Sequence, residues 1–169
     1  MPESPLNGPR SCGETLLRPV IASDLPIFFA QQLDPIANRM AVVNPRDQES
    51  FDDHWRKVLS STSVIARTIV ADGVVVGSVS CFPMEGLDSV GYWIAREHWG
   101  KGIASRAVAL LLEEVPQRPL HARAARSNIA SIRVLTKNGF AITGYQHSPA
   151  TDRFPACEEA ILILEEQND

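Results

Sequence analysis

Residues 97–115 read EHWGKGIASRAVALLLEEV and place a glycine-rich segment directly before a long apolar helix. Apolar side chains recur at every fourth position along that helix: Ile103, Ala107, Leu111 and Val115. This spacing predicts one buried helix face. The N-terminus of a helix has unpaired N–H groups and the positive end of the helix dipole, so it attracts phosphate oxygens. The segment therefore predicts a core helix that begins at a phosphate-binding site.

The residues at the start of this helix leave the backbone open to a ligand. Gly100, Gly102 and the small Ala104 place no bulky side chain over the N–H groups, while Lys101 adds a positive charge. A Walker loop requires Ser or Thr after Gly-Lys, whereas Gly102 follows Lys101 here. A dinucleotide fingerprint requires a third glycine where Ser105 stands. The pyrophosphate of coenzyme A is the third alternative.

Composition narrows the class of protein. Hydrophobic residues make up 44% and charged residues 21% of the 169 residues, which is ordinary for a globular protein. The formal net charge is −4 and the chain has no basic run, so a nucleic-acid partner is not predicted. Cys12, Cys81 and Cys157 lie far apart without a CxxC spacing, which predicts neither a disulfide framework nor a metal site and fits a cytoplasmic location. No apolar stretch approaches the ~20 residues that span a membrane, so no membrane partner is predicted.

The chain is predicted to have a flexible tail, residues 1–13, and a single domain, residues 14–169. The tail is rich in proline and glycine and has no apolar core of signal-peptide length. Ser23 or Asp24 is expected to cap the first helix. The predicted strands outside the hairpin described next are 15–20, 89–95, 120–124, 140–147 and 156–165, and the predicted helices are 24–33, 47–59, 103–115 and 128–138.

The strongest β pattern is SVIARTIVADGVVVGSVSCF, residues 63–82, in which two β-branched runs flank Asp72 and Gly73. This pair favours a two-residue type I′ hairpin turn. Both runs are too apolar for a sheet with one solvent face, so we expect helices on both faces. Pro83 and Gly86 predict a loop before the next strand. The chain as a whole predicts a mixed α/β fold with a single layer of sheet covered by helices.

Several segments together resemble the core of the GNAT acetyltransferases. GYWI at 91–94 and WGKGIA at 99–104 are similar to that family's strand and pyrophosphate loop, Gln/Arg-x-x-Gly-x-Gly/Ala. Trp99 stands at the Gln/Arg position, and with GYWI this is more similar to the ribosomal-protein N-acetyltransferase (RimJ/RimL) branch. NIAS at 128–131, followed by GF at 139–140, is similar to that branch's NxxS…GF segment.

The resemblance implies a GNAT fold, with one mostly antiparallel sheet of about seven strands, a splayed central pair and helices on both faces. It implies acetyl-CoA as the co-substrate, no metal ion, an amine acceptor and, in many members, a homodimer. The residues implied to bind the coenzyme are Trp93, Ile94, Ala95, Trp99, Gly100, Lys101, Gly102, Ile103, Ala104, Ser105, Asn128 and Ser131. For Tyr92 and Trp93 we expect the backbone, rather than the ring, to be involved.

The resemblance also implies how acetyl transfer is assisted. A backbone N–H near Ile94 is the expected donor to the oxyanion. Many relatives have a tyrosine acid seven residues after the Asn that caps the last predicted helix, but this chain has Leu135 there. In the RimJ/RimL branch the serine of NxxS can lie near the thiol, so the resemblance implies Ser131 as the best protein donor to the leaving thiolate. A water molecule is the alternative.

The general base is harder to predict. The branch often has a glutamate two residues before GYW, where this chain has Ser89. We hypothesise that Asp88 or Glu85, just upstream and beside the loop expected to border the acceptor cleft, acts as the base directly or through water. His54 and Tyr92 are the predicted contacts to the acceptor.

The sequence predicts an acetyl-CoA-dependent N-acetyltransferase in which a primary amine attacks directly in a ternary complex. The acceptor is a protein N-terminus or a small-molecule amine. Because the family's tyrosine and glutamate are absent, a non-catalytic acyl-CoA-binding sensor or structural module is the alternative. The apolar run ILIL in the last strand is either core or a surface that pairs with a second copy.

Overall fold

The computed structural model describes residues 13–168, so residues 1–12 of the predicted tail lie outside the described part and that prediction is untested. One seven-stranded sheet organises the fold. Its strands are β1 (Thr15–Pro19), β2 (Ile65–Ala71), β3 (Val74–Met84), β4 (Leu87–Ile94), β5 (Leu120–Ala125), β6 (Ala141–Ser148) and β7 (Cys157–Leu164). The α-helices are α1 (Leu25–Gln31), α2 (Pro35–Ala41), α3 (Gln48–Ser60), α4 (Ile103–Glu114) and α5 (Ile129–Lys137). None of these helices is long and apolar enough to cross a membrane.

The sheet opens at its centre. The strand order is β1-β2-β3-β4-β5-β7-β6, and every neighbouring pair is antiparallel except β4 and β5. The parallel pair has a single bridge, Ser89 opposite His121, although both strands continue beyond it. β4 and β5 therefore separate towards their carboxyl ends, which confirms the predicted splayed pair.

Helices cover both faces of the sheet, as the apolar strands predicted. The four apolar positions of the 103–115 segment are all buried: Ile103, Ala107, Leu111 and Val115. They belong to the main core together with Val76 of β3, whereas the adjacent Val75 packs against a second cluster built from α1 and α3. Adjacent residues of a strand point to opposite faces, so α4 and the α1–α3 cluster lie on opposite sides of the sheet.

The two-residue turn at Asp72 and Gly73 is confirmed, but the predicted loop at Pro83 and Gly86 is wrong. β3 continues through Pro83, and a second tight turn at Glu85 and Gly86 joins it to β4, with φ of 51° and 78°. Pro83 lies opposite Asp88, a pair that exchanges no backbone hydrogen bonds, and β2 ends before reaching it. The missing N–H of proline thus costs the sheet no hydrogen bond.

Asp24 does not cap α1, contrary to expectation; it forms a buried ion pair. Its carboxylate accepts hydrogen bonds from Arg18 Nη1 and Nη2 at 2.7 and 2.8 Å and from Thr68 Oγ1 at 2.7 Å. The Arg18 guanidinium lowers the pKa of Asp24 to about 2. Segment 34–45, for which no helix or strand is predicted, contains α2, and Asp34 caps this helix by accepting a hydrogen bond from Ile36 N at 2.9 Å.

Two of the four residues of the apolar run ILIL, Leu162 and Leu164, are core, whereas Ile161 and Ile163 are half-buried on the other face of the strand. The run lies in β7, which pairs with β5 on one side and β6 on the other, so neither edge of this strand is available to a second copy. Ala160 and Leu162 are fully buried. The homodimer implied by the resemblance stays a prediction.

Candidate active site

The start of α4 forms a bare cradle of backbone N–H groups. Gly100 and Gly102 adopt left-handed φ angles of 73° and 77°, and a Cβ added to either would meet no atom within 4 Å. The first intrahelical hydrogen bond runs from Arg106 N to Gly102 O at 3.1 Å. The N–H groups that precede this bond have no intrahelical acceptor and face the cradle: those of Ile103, Ala104 and Ser105.

Trp99 connects this cradle to the end of β4. Its indole Nε1 donates to Ile94 O at 2.9 Å, and Trp99 N donates to Arg96 O at 3.1 Å. The tryptophan therefore replaces the polar residue usual in this position with a donor that holds the loop against the strand. Lys101 lies exposed at the rim of the cradle.

The backbone of β4 presents free donors to the gap in the sheet. Ala95 N donates to Val76 O at 2.9 Å, so Ala95 has its backbone directed towards β3. Backbone direction alternates along a strand, and the N–H groups of Tyr92 and Ile94 consequently point towards β5. Since β5 has moved away there, these groups face open space. This placement supports the prediction for Ile94 and shows that the N–H of Ala95 is already used.

A pair of hydroxyl groups lies beside that gap. Tyr92 Oη donates to Ser131 Oγ at 3.2 Å, and Ser131 N donates to the side chain of Asn128 at 3.2 Å, which caps α5. Burial raises the pKa of Tyr92, so its hydroxyl keeps its proton at neutral pH. We expected only the backbone of Tyr92 to take part; the structure brings its ring hydroxyl to Ser131.

Trp93 faces away from this site. Its indole Nε1 donates to Gln31 O of α1 at 3.3 Å, on the other face of the sheet. Its backbone lies opposite Ser78 in a hydrogen-bonded pair with β3. Both its ring and its peptide groups are directed elsewhere, so this geometry does not favour the predicted coenzyme contact by Trp93, which stays a prediction.

Asn138, which sequence analysis missed, fixes α5 beside the cradle. Its side-chain Nδ2 donates to Ser105 O at 3.2 Å, contacts Ser105 Oγ at 3.4 Å and donates to Val134 O at 2.8 Å. The only sequence signal was its position before Gly139, at the end of a predicted helix.

The two acids proposed as bases lie far from the open end of the sheet. Glu85 is in the β3–β4 turn and accepts from Arg123 Nη2 at 2.7 Å. Asp88 is exposed near the start of β4, about 20 Å along the strand from Ile94. The loop expected beside them is a tight turn at the closed end of the splay, so this geometry does not favour their predicted place beside the acceptor cleft.

A positive cluster lies on the α3 face, around His54. Burial, the largest cause, together with the charges of Arg46 and Arg153, lowers the pKa of His54 to about 4. His54 is thus neutral at pH 7, unlike the two guanidinium groups beside it. No sequence signal connected Arg46 with Arg153, because they come from loops at opposite ends of the chain.

Coenzyme A fits the cradle at the start of α4. Two glycines leave space where side chains would stand, the helix N–H groups have no other acceptor, and Lys101 adds a positive charge. A pyrophosphate is the anion that such a set of donors suits. The hydroxyl pair of Tyr92 and Ser131 lies on the same face as α5, two residues before Ile94 in β4.

Comparison with known proteins agrees with this geometry. Residues 14–141 match the family described as Acetyltransferase (GNAT) domain, whereas no curated protein matches the chain. Spermidine N-acetyltransferase from Vibrio cholerae in complex with CoA and spermine is 14% identical with a TM-score of 0.76, over 89% of this chain and 95% of that chain. RimJ from Mycobacterium smegmatis in complex with CoA-disulfide is 20% identical with a TM-score of 0.75, over 91% and 83%.

A third similar structure is RimL, a ribosomal L7/L12 alpha-N-protein acetyltransferase in complex with coenzyme A. It is 17% identical with a TM-score of 0.69, over 89% of this chain and 94% of that chain. At such identities the likeness shows a shared fold, while the family match extends over more than half of the chain. The chain therefore belongs to the GNAT acetyltransferase family, which confirms the resemblance, the fold and the enzyme class that its sequence predicted.

Proposed function

We propose that the protein transfers an acetyl group from acetyl-CoA to a primary amine in a ternary complex. The observation that carries the proposal is the glycine cradle before α4, which ends beside the open side of β4. The related structures differ in the acceptors that their names state, a polyamine and a ribosomal protein. The fold itself thus leaves the acceptor open between a protein N-terminus and a small amine.

Each part of the site has a role in this proposal. Gly100, Gly102 and the N–H groups of α4 bind the pyrophosphate, and Trp99 holds the loop to β4. Acetyl-CoA supplies an activated thioester, so the protein needs mainly to align it with the amine. The N–H of Ile94, which faces the gap, is placed to stabilise negative charge on a carbonyl oxygen in the low-dielectric cleft.

The hydroxyl pair of Tyr92 and Ser131 supplies a proton to the leaving thiolate in place of the tyrosine acid that many relatives have. Leu135 is buried in the core and has no proton to give. Ser131 Oγ accepts from Tyr92 Oη, so its own O–H remains available to donate. Tyr92 can then replace the proton that Ser131 gives up. This two-hydroxyl arrangement favours an enzyme over the alternative, a non-catalytic acyl-CoA sensor.

The test compares two glycine variants with matched backbone strain. Gly102 and Gly73 have φ of 77° and 79°, and both have open space around the Cβ position. Gly102→Glu places a carboxylate in the cradle. We expect this variant to lose acetyl-CoA binding, measured by calorimetry, and to lose the release of free thiol in the presence of a panel of amines. Gly73→Glu, at a remote hairpin turn, should retain both.

Two results would contradict the proposal in different ways. If wild type fails to bind acetyl-CoA, the assignment of the cradle is wrong. If it binds acetyl-CoA but acetylates no amine in a panel of peptides, amino acids and polyamines, the sensor alternative is correct. A cytoplasmic location and a homodimer remain additional predictions.

A further inference from the structure

We propose that Arg46 and Arg153 form a binding site for an anionic group on the acceptor, so that the acceptor is an amine that also carries a carboxylate. The inference rests on the proposed function and specifies its substrate class. It concerns the α3 face, which the coenzyme cradle does not use.

Backbone hydrogen bonds hold the two arginine loops together. Asn44 N donates to Arg153 O at 2.8 Å, and Asn44 Nδ2 donates to Asp152 O at 3.1 Å. The Arg153 guanidinium in turn donates to Asn44 O. Loop 42–47, which precedes α3, is therefore joined to loop 149–156, which connects β6 with β7.

A second set of hydrogen bonds fixes Arg46. Gln32 Nε2 donates to Arg46 O at 2.9 Å, and Arg46 N donates to Gln32 Oε1 at 2.8 Å. The side chain of Gln32 thus clamps both peptide groups of Arg46. Because the backbone of Arg46 is ordered in this way, a ligand would lose little affinity to the ordering of this loop.

The arginine charges have no acidic partner of their own. Across residues 13–168, no ion pair includes Arg46 or Arg153, although both are half-buried. Burial, the largest cause, together with the nearby charge of Arg46, lowers the pKa of Arg153 to about 10. Like charges that are partly removed from water are unfavourable unless an anion offsets them.

Two acids on this side of the molecule, Asp34 and Asp53, are paired with other cations. Asp34 binds Arg96 with a distance of 2.6 Å between Oδ2 and Nε. Asp53, which opposes the fall in the pKa of His54, binds Lys57 at 2.9 Å and Arg56 at 3.1 Å. The field around His54 is therefore positive, as the direction of its pKa shift also indicates.

The topology places this cluster at the open end of the sheet. Glu159, near the start of β7, lies opposite Ala125 at the end of β5, so loop 149–156 is at the carboxyl end of β5. That is the end where β4 and β5 separate. Loop 42–47 leads into α3, on the face opposite α4, so a ligand here would reach the gap from the side away from the coenzyme cradle.

The chemistry of the cluster selects among acceptors. A guanidinium group binds a carboxylate through paired N–H donors in a planar arrangement. A polyamine would meet two like charges and be repelled. The carboxylate can belong to a free amino acid or to an acidic residue that follows a peptide's N-terminus, and these two sources share the same chemistry.

The experiment measures kcat/KM for matched acceptors. Free amino acids are compared with their amides, peptides with Asp or Glu at the second position with their Asn or Gln counterparts, and spermidine represents cations. We expect the carboxylate form to be preferred by about tenfold or more. Preference among free amino acids identifies a small molecule, and preference only among peptides identifies an N-terminus.

Arg46→Gln and Arg153→Gln should each remove most of this preference by raising KM about tenfold, with unchanged acetyl-CoA affinity. Arg46→Lys, which keeps the charge but not the planar donor pair, should have an intermediate effect. Arg56→Gln is the matched control, because it removes an arginine from the same region that is 71% exposed and already paired.

A second measurement separates this inference from the proposed function. Succinate is titrated into the protein while the His54 imidazole is followed by NMR, which requires no turnover. Perturbation in wild type that is lost in Arg46→Gln supports the anion site even if no amine is acetylated. No perturbation, or a wild-type preference for neutral or cationic amines, would overturn the inference while acetyl transfer could still hold.

Discussion

The two faces of this protein are built by different means. On the coenzyme face the donors are backbone groups from one segment, between Ile94 and Ser105, and two glycines keep them open. On the acceptor face the charges belong to side chains from loops that Asn44 and Arg153 join across 109 positions of sequence. A pyrophosphate is common to every acetyl-CoA, whereas acceptors differ. In the proposed function, local backbone binds the shared ligand, and side chains that the fold assembles bind the variable one.

The largest effect on the free energy of unfolding is expected from removing the ion pair between Arg18 and Asp24, just before α1. Asp24→Ala would leave Arg18 without its partner in a place where the Asp24 side chain is 3% exposed. Loss of one partner of a fully buried pair costs about 3–5 kcal/mol, and because Arg18 is 32% exposed we expect a loss at the lower end of that range in urea unfolding. Asp53→Ala, which removes exposed ion pairs on α3, should cost less than about 1 kcal/mol. Equal losses would show that the buried pair does not anchor this face.

The same pair has a defined pH dependence. The folded-state pKa of Asp24 is lowered to about 2, so its stabilising effect is present above the ordinary carboxyl pKa and is lost as the pH falls through 2. Acid unfolding of Asp24→Asn should therefore depend less on pH below 4 than that of wild type.

Variants of the hydroxyl pair of Tyr92 and Ser131 separate proton transfer from coenzyme binding. Ser131→Ala is expected to lower kcat about 100-fold and Tyr92→Phe somewhat less, with acetyl-CoA affinity nearly unchanged, because the pair moves a proton and does not bind the pyrophosphate. Tyr145→Phe, at a residue that is 46% exposed, is the control. An unchanged kcat in both variants would assign the proton to water.

Two tryptophans allow the faces to be compared directly. Trp99→Phe removes the hydrogen bond to Ile94 O on the coenzyme face, and about 1 kcal/mol should be lost from acetyl-CoA binding, roughly fivefold in Kd. Trp93→Phe removes the hydrogen bond to Gln31 O on the other face and should leave Kd unchanged. Calorimetry with acetyl-CoA distinguishes them, and equal losses would contradict the separation of the faces.

Protonation of His54 should also destabilise the protein in mild acid. The pKa of His54 is lowered to about 4 in the folded protein from an ordinary 6.5, so the unfolded chain takes up a proton first as the pH falls. Between pH 7 and 5.5 this should reduce the free energy of unfolding by about 1 kcal/mol, and His54→Gln should remove that reduction. Arg46→Gln should raise the pKa of His54, as followed by NMR; a constant pKa would place the arginine charge elsewhere.

The smallest effect is expected at the closed end of the splay. The double variant Glu85→Gln and Asp88→Asn should leave the pH–rate profile unchanged, because both carboxylates lie far along β4 from Ile94. Loss of the exposed pair with Arg123 should cost less than about 1 kcal/mol of stability. Loss of a limb of the profile would instead restore these acids as the general base.

Local patterns predicted most of the fold. The Asp72–Gly73 hairpin, α3, α4 and α5 appear where spacing and caps placed them, because turn conformation and helix periodicity depend on neighbouring residues. The errors occurred where tertiary contacts decide. Pro83 was predicted to lie in a loop, yet it continues a strand at a position where no neighbouring strand requires a backbone N–H. Aspartate is a residue type that often caps helices, yet the carboxylate of Asp24 binds Arg18 and Thr68 instead.

The sequence by itself determined the coenzyme cradle, since left-handed glycines and a helix N-terminus are properties of contiguous backbone. Only the tertiary structure decided which side chains meet. The separation of β4 from β5 turns the N–H of Ile94 into a free donor, and α5 brings Ser131 to Tyr92, 39 positions away. The loops that unite Arg46 and Arg153 likewise depend on hydrogen bonds between distant segments, which no local pattern encodes.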